Sequence, residues 1–290
     1  MQNPLRRVMF HAFSIISCAA LLIAALPARA ANPPLMIVSP LEWNLPIVPS
    51  ANVILQNVIM NTNNEAYDIN APGGQTYIGV TRYAHLFSYG KDPSVGYFWE
   101  FLQPYVVAQG TSFEASGLAD PTFDFGVITK KRHGFVLVPQ LLLGVPIGDN
   151  NLSNHFWAVT PLLGFNWMTA DDQLSFTGNL AYTWTSTRHV TGEPDLKPGR
   201  STFASLIMTW MATKTVQPFI RYDYNHTGGT WNIQDAQYIP QSDNHEGAAG
   251  IGLRFNFHGF PTTNIWYSED VTGMNTVKTK ALYISFIYVF

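Results

Sequence analysis

Several segments of the sequence alternate between apolar and polar residues over about ten positions, the length that a tilted strand needs to cross a bilayer. From Leu174 to Trp184 every second residue is apolar, aromatic or glycine, and most residues between them are polar. Segments centred on Phe125, Ile220 and Ile251 repeat the pattern. Because successive strand side chains point to opposite faces, each segment has one apolar and one polar face. The pattern predicts an all-β protein whose strands span a membrane.

The composition favours a membrane barrel over a soluble β-sandwich or soluble barrel, the alternative with the same pattern. Only 12% of the 290 residues are charged and 14% are aromatic. A soluble sandwich is expected to have shorter strands and more surface charge. Trp157, Trp167, Tyr182 and Trp184 lie near strand ends, where the aromatic girdles of outer-membrane barrels occur. The sequence has no phosphate-binding glycine loop, zinc spacing or basic nucleic-acid patch, so no cofactor, metal or nucleic acid is predicted.

The first 30 residues have the pattern of an export signal. Two arginines precede a long apolar run, and Ala28-Arg29-Ala30 offers a small-x-small cleavage site before Ala31. Two alternatives stay open, an uncleaved anchor and a lipoprotein signal ending at Cys18. Cleavage removes three arginines and no acid from 16 basic and 19 acidic residues, which leaves a net charge of −6. It also removes the single cysteine, so no disulfide is expected.

The end of the chain carries a second signal. Counting back from Phe290, every second residue is apolar through Leu282. This pattern looks like the C-terminal insertion signal of bacterial outer-membrane barrels. It predicts recognition of the last strand by the barrel-assembly machinery, with outer-membrane lipid around the barrel.

Loop lengths set the predicted number of strands at twelve, because bacterial single-chain barrels have even strand numbers, short periplasmic turns and longer external loops. Residues 61–76 and 270–278 are predicted to be external loops. The proline-rich residues 31–50 are predicted to form an extended periplasmic or plug-like lead-in, and residues 51–290 the barrel. The predicted strands are 51–60, 77–88, 97–108, 121–131, 134–146, 155–168, 173–185, 201–211, 215–225, 247–257, 262–269 and 279–290.

Alternation also predicts which residues line the lumen. The predicted substrate-contacting set is Asp124, Gln140, Asn179, Phe219, Arg221, Asp223 and Arg254. Other inward positions are apolar, which suits a small amphipathic or aromatic solute unless these side chains merely fill space. Arg221 and Asp223 are placed to neutralise each other, and Asp124 and Arg254 to pair across the barrel. The facing of Arg82 and Glu100 stays open.

Two segments resemble the meta-pathway phenol-degradation family of outer-membrane proteins. Residues 117–126 are similar to the family's Gly-x-Gly-Asp strand start, with Ala119 in place of a glycine. Residues 143–149 are similar to its Leu-Pro-Thr-Gly-Asp strand end, with Ile147 in place of threonine. The resemblance covers about residues 70–290. It implies a transporter-like barrel for the uptake of hydrophobic or aromatic compounds.

The loop count places Asp120 and Asp149 at the external rim. They are placed either to gate the opening or to hold a divalent cation such as calcium, which prefers oxygen ligands. The alternative is ordinary turn chemistry, since Asp-Pro and Gly-Asp-Asn are common turn sequences.

The sequence therefore predicts an outer-membrane channel for the passive uptake of small hydrophobic or aromatic compounds, and no enzyme. Two alternatives remain. One is a structural or adhesive barrel that binds through Trp231 and Tyr238 of the longest loop. The other is a barrel-embedded hydrolase, for which Ser153 and His155 offer a nucleophile and a base without a recognisable motif.

Overall fold

The strands of the computed structural model close into one antiparallel barrel. The structure describes residues 38–68, 74–91, 93–110 and 114–290, so the predicted signal peptide lies outside it. The strands are β1 (Ser50–Tyr67), β2 (Gly74–Phe87), β3 (Val95–Gly110), β4 (Glu114–Leu118), β5 (Thr122–Thr129), β6 (Phe135–Gly144), β7 (Ala158–Met168), β8 (Leu174–Thr185), β9 (Leu196–Lys197), β10 (Ser201–Trp210), β11 (Val216–Thr227), β12 (Trp231–Asn232), β13 (Gln237–Tyr238), β14 (Asn244–Phe255), β15 (Thr262–Met274) and β16 (Thr276–Val289).

Twelve wall positions form the barrel, as the loop lengths predicted. Each barrel strand pairs antiparallel with the next, and β1 pairs with β16 to close the ring. The short strands β4 and β5 share one wall position, because both pair with β3 on either side of a break at residues 119–121. A separate three-stranded sheet of β9, β12 and β13 joins two external loops. In the described part of the chain, no helix is long and apolar enough to cross a membrane.

Alternation along the strands separates an exposed apolar outer face from a buried inner face. Phe125, Leu180 and Ile251 are more than half exposed on the outside, although they are large and apolar. Trp167 and Trp210 end their strands at the periplasmic side, while Trp157 and Trp184 lie at the opposite ends of β7 and β8. An apolar band between two aromatic girdles is the surface that a barrel presents to lipid.

Hydrogen bonds of polar side chains fix the short turns at the periplasmic end. In the turn between β7 and β8, Asp172 has a positive φ of 55°. The Thr169 hydroxyl donates to Asp171 at 2.6 Å, and this bond lowers the pKa of the Asp171 carboxyl. These turns hold the strands in register beneath the membrane.

Two predicted external loops are wrong in their extent. β1 continues to Tyr67 and β2 begins at Gly74, so most of residues 61–76 are strand. β15 and β16 meet at Asn275, which has a positive φ of 52°, so residues 270–278 form a tight hairpin turn. Above the bilayer both faces of a strand contact water. The apolar alternation therefore ends there although strand pairing continues.

The described N-terminal segment, residues 38–49, lies inside the barrel. Val38 and Trp43 are buried in the same hydrophobic cluster as the inner faces of β1, β2 and β6. Leu45, Ile47 and Val48 pack against that cluster. The lumen of the described structure is therefore filled mainly by the chain's own N-terminal segment.

Candidate functional site

All seven residues predicted to line the lumen lie on the inner face of the barrel. Five of them are buried, and Asp223 and Arg254 are largely covered. They come from five strands, β5, β6, β8, β11 and β14, and surround the N-terminal segment. Their position follows from the strand alternation, whereas their role in binding a solute stays a prediction.

A buried ion cluster anchors the N-terminal segment to the wall. The Arg82 guanidinium on β2 donates to Glu42 at 2.7 Å and to Glu100 on β3 at 2.9 Å. The backbone nitrogen of Ser39 also donates to the Glu42 carboxylate, at 2.6 Å. Burial raises the pKa of the Glu42 carboxyl, and the Arg82 guanidinium opposes that shift. Charges at such depth are retained when they are paired and hydrogen-bonded.

A second arginine is paired on the opposite wall. Arg221 donates through Nε and Nη2 to both carboxylate oxygens of Asp223, each at 2.7 Å, as the sequence analysis expected. Its guanidinium carbon lies 5.0 Å from the centre of the Trp266 ring, which stacks on Tyr283 at 4.6 Å. The site therefore includes an aromatic stack that the sequence analysis did not single out.

The predicted pairing of Asp124 with Arg254 is wrong. Arg254 donates to the carbonyl oxygen of Pro40 at 2.8 Å and contacts Asn264. Asp124 lies near Glu100 and Arg82 instead. The N-terminal segment separates the two residues and uses Arg254 itself. This could not be foreseen from strand alternation, because the segment has none.

Backbone groups of the N-terminal segment are also held by the wall. Arg221 donates to the carbonyl oxygen of Val38 at 3.1 Å. The backbone nitrogen of Leu41 donates to the Thr177 hydroxyl at 3.0 Å. The hydroxyls of Ser39 and Ser285 are 3.2 Å apart. Contacts to β8, β11 and β16 place residues 38–43 across the lumen.

A small cavity lies beside this crossing. It is lined on one side by Glu42 and Trp43 of the segment, and on the other by side chains of β2, β3 and β5–β8, including Asp124, Gln140 and Asn179. Its volume corresponds to about two water molecules. Three of the predicted lumen residues therefore line one cavity, which is almost filled.

The rim aspartates are engaged in turn chemistry. The Asp120 carboxylate accepts hydrogen bonds from the backbone nitrogens of Gly148 at 2.9 Å and Asn154 at 2.7 Å. Asp149 accepts one from the backbone nitrogen of Leu118 at 2.7 Å. The two segments that carry the family resemblance thus interlock in space. Gly117 has a φ of 149°, and a side chain there would meet the Asp149 carboxylate at 1.9 Å.

Ser153 and His155, the candidate nucleophile and base, bind atoms of their own loop. Ser153 accepts from the backbone nitrogen of His155, whose ring contacts the carbonyl oxygen of Asn150. Within the described ranges, no group of three histidine, aspartate or glutamate side chains is arranged to hold a metal ion.

The sequence predicted residues 31–50 as an extended periplasmic or plug-like lead-in, but not the wall residues that hold this segment. One signal was available, since Glu42 is the only charged residue between positions 31 and 50. If an acid in such an apolar, proline-rich stretch is buried, it needs a cation as partner, because an unpaired buried charge is costly. Arg82 is that cation. The Trp43 contact had no comparable signal.

Comparison with solved structures shows the same fold in outer-membrane proteins. An outer membrane channel from Pseudomonas putida F1 superimposes with a TM-score of 0.75 at 16% identity, over 88% of this chain and 100% of that one. The NanC porin gives 0.50 at 10% identity, over 81% and 98%. The β-domain of the Bordetella autotransporter BrkA gives 0.50 at 11% identity, over 84% and 100%. These likenesses identify the outer-membrane β-barrel fold.

Comparison with curated proteins gives no match. A family model described as "Putative MetA-pathway of phenol degradation" matches residues 60–286, most of the barrel and both segments of the resemblance. The chain is an outer-membrane β-barrel that belongs to this phenol-degradation family.

Proposed function

We propose that this protein is a channel of the bacterial outer membrane through which small hydrophobic or aromatic compounds cross without energy input. Family membership and the fold that the chain shares with the Pseudomonas putida outer membrane channel support this proposal. The lining of the lumen indicates the class of solute, because it is neither uniformly polar nor uniformly apolar.

The observation that carries the proposal is the two-sided lining of the lumen. Near the periplasmic end, inward residues of β1 to β6 are mainly apolar, whereas inward residues of β7 to β16 are mainly polar. The apolar side includes Val53, Leu86, Phe98, Ile128, Val136 and Val138. The polar side includes Asn166, Ser175, Thr209, Gln217, Asn264 and Ser285. A solute with an apolar ring and one polar group matches both sides, unlike a sugar.

In this account residues 31–50 act as a plug. Residues 38–43 cross the lumen, so a solute passes only when they shift. Several buried wall atoms, such as Asn166 Nδ2 and Asn264 Nδ2, have no hydrogen-bond partner in the described part of the chain. Each such atom costs about 1–3 kcal/mol.

The proposed function also includes export of the chain and its assembly into the outer membrane. Residues 1–30 are removed as a signal peptide, and the strand ending at Phe290 is recognised by the assembly machinery. The protein has no catalytic function in this account, and the interactions of Ser153 and His155 with neighbouring loop atoms support that assignment.

The test is solute flux into liposomes that carry the refolded mature protein. Phenol, benzoate and a small sugar are compared, with empty liposomes subtracted because phenol crosses lipid unaided. We expect saturable aromatic flux and little sugar flux. Equal flux of aromatic compound and sugar, or no flux through folded protein, would contradict the proposal.

A matched pair of variants tests whether the lumen is the route. Asn179 is buried on the inner face, and Leu180 beside it is exposed on the outer face. Asn179→Phe is expected to reduce aromatic flux, and Leu180→Phe to leave it unchanged. Equal effects of both variants would argue against passage through the lumen.

A further inference from the structure

The Trp43 indole occupies a slot that the barrel wall leaves open for a flat ring. Gly164 on β7 faces the indole, and a methyl group at Gly164 would lie 2.9 Å from both Cε2 and Nε1 of Trp43. Trp43 is buried, and its Nε1–H donates to Oδ1 of Asn179 on β8. The slot thus accepts an aromatic ring that carries a hydrogen-bond donor.

Two polar groups beside the slot have unused hydrogen-bonding capacity. Oδ1 of Asp124 and Nδ2 of Asn179 are buried and have no hydrogen-bond partner within the described residues. Both side chains line the same cavity as Trp43. The Asn179 amide nitrogen is a donor beside the amide oxygen that accepts from the indole, so this one side chain can bind a ring substituent that donates or accepts, such as a hydroxyl group.

The surroundings of these polar groups exclude one class of aromatic compound. Leu102, Leu142 and Leu162 give the cavity apolar walls. The carboxylates of Glu42 and Glu100 line it and share the single described cation, Arg82. A negatively charged solute would meet net repulsion and find the arginine already paired.

We propose that the Trp43 slot is a binding subsite for a neutral aromatic ring bearing a hydroxyl or N–H group, and that the Trp43 indole occupies it until such a solute competes for it. The ring lies over Gly164, and its donor binds the Asn179 side chain. This subsite rests on the proposed channel function. It narrows the substrates of that channel to uncharged aromatic compounds that carry a hydroxyl or amino group.

The first test empties the slot. Purified Trp43→Ala protein is dialysed to equilibrium against phenol, toluene or benzoate, with heat-modifiable gel mobility as the check on folding. Leu45→Ala is the matched control. It removes packing contacts of the same segment but leaves the Trp43 indole in the slot. We expect saturable phenol binding that is tighter in Trp43→Ala than in the wild-type protein or in Leu45→Ala. Binding of toluene to Trp43→Ala is expected to be weaker by about tenfold, since toluene lacks the donor. Asn179→Leu added to Trp43→Ala is expected to remove the preference for phenol.

Three results would overturn the proposal. They are no phenol binding by folded Trp43→Ala protein, equal binding of phenol and toluene, or equal binding by Leu45→Ala. Preferential binding of benzoate would contradict the charge argument in the same way.

A second test uses the wild-type protein and so does not depend on folding of the variant. The protein is labelled with 5-fluorotryptophan, and Trp43→Phe assigns the Trp43 signal in the ¹⁹F NMR spectrum. Phenol is expected to shift the Trp43 signal saturably while the signal of Trp231 in the external sheet stays fixed. An unmoved Trp43 signal at phenol concentrations that saturate Trp43→Ala would show that the solute does not compete with the indole.

The subsite and the channel can fail separately. Phenol binding to Trp43→Ala without phenol flux through the wild-type protein would uphold the subsite and reject uptake. Saturable flux in the wild-type protein without binding to Trp43→Ala would reject the subsite and leave the channel in place.

Discussion

Arg82 is the residue whose replacement we expect to be most damaging. It pairs with both Glu42 and Glu100 in the buried lumen, with Asp124 nearby. Arg82→Met leaves these carboxylates without their cation, and removing one partner of a buried pair costs about 3–5 kcal/mol. We expect a loss of this size in the free energy of unfolding, measured by urea titration in lipid vesicles.

The control for Arg82 is an exposed ion pair of the same chemistry. Arg188 binds Glu193 at 2.7 Å in an external loop, where both side chains contact solvent. Arg188→Met is expected to change stability by about 0–1 kcal/mol, the usual range for a surface pair. Similar losses in both variants would show that the lumen cluster is not a special anchor.

Asp120 tests whether the rim motif is structural. Asp120→Ala leaves the backbone nitrogens of Gly148 and Asn154 without their acceptor, and each orphaned donor costs about 1–3 kcal/mol. We expect a lower midpoint of thermal unfolding, and no change in the wild-type midpoint when calcium or a chelator is added. A rise with calcium that disappears in Asp120→Ala would favour the cation site over turn chemistry.

At the scale of the strands, the seam between β1 and β16 carries an assembly prediction. The backbone nitrogen and oxygen of Phe290 each bond to Asn52 at 2.9 Å. These two bonds are the last of a long ladder, so deleting Phe290 removes little of the seam. We therefore expect the deletion to reduce folded barrel in cell membranes strongly, but refolding into detergent only slightly.

Heat-modifiable gel mobility measures both quantities for the Phe290 deletion. Val289→Ala is the control, because it alters the neighbouring residue and keeps the terminal aromatic ring. Equal losses in cells and in detergent would mean that Phe290 is needed for the stability of the seam itself.

The number of strands was predictable for two reasons. The bilayer requires apolar residues at every second position of a strand, and an up-and-down barrel has short periplasmic turns and longer external loops. The prediction failed where the bilayer ends. Asn61, Asn63 and Glu65 continue β1, but their polar pattern has no apolar face to reveal a strand. The sheet formed by β9, β12 and β13 was missed for a related reason, since strands of two residues carry no periodicity.

At the scale of the whole molecule, the residues of the inner wall were predictable, and a plug-like segment was one of two alternatives, but the contacts of that segment with the wall were not predictable. Asp124, Asn179 and Arg221 were placed correctly because each lies in a strand whose outer face is clearly apolar. The position of residues 38–43 depends on long-range contacts such as Arg82 with Glu42 and Arg254 with Pro40. Local patterns do not encode contacts across so many residues, so the pairing of Asp124 with Arg254 was assigned wrongly.

The most direct test of the account is a reversible lock on the N-terminal segment. The mature chain is expected to contain no cysteine, and the Ser39 and Ser285 hydroxyls are 3.2 Å apart. Ser39→Cys combined with Ser285→Cys should form a disulfide that ties the segment to β16, with each single variant as a control. We predict that oxidation lowers phenol flux into liposomes to the level of empty liposomes, and that reduction restores it. Flux that is unchanged after complete oxidation would contradict passage through the lumen past this segment.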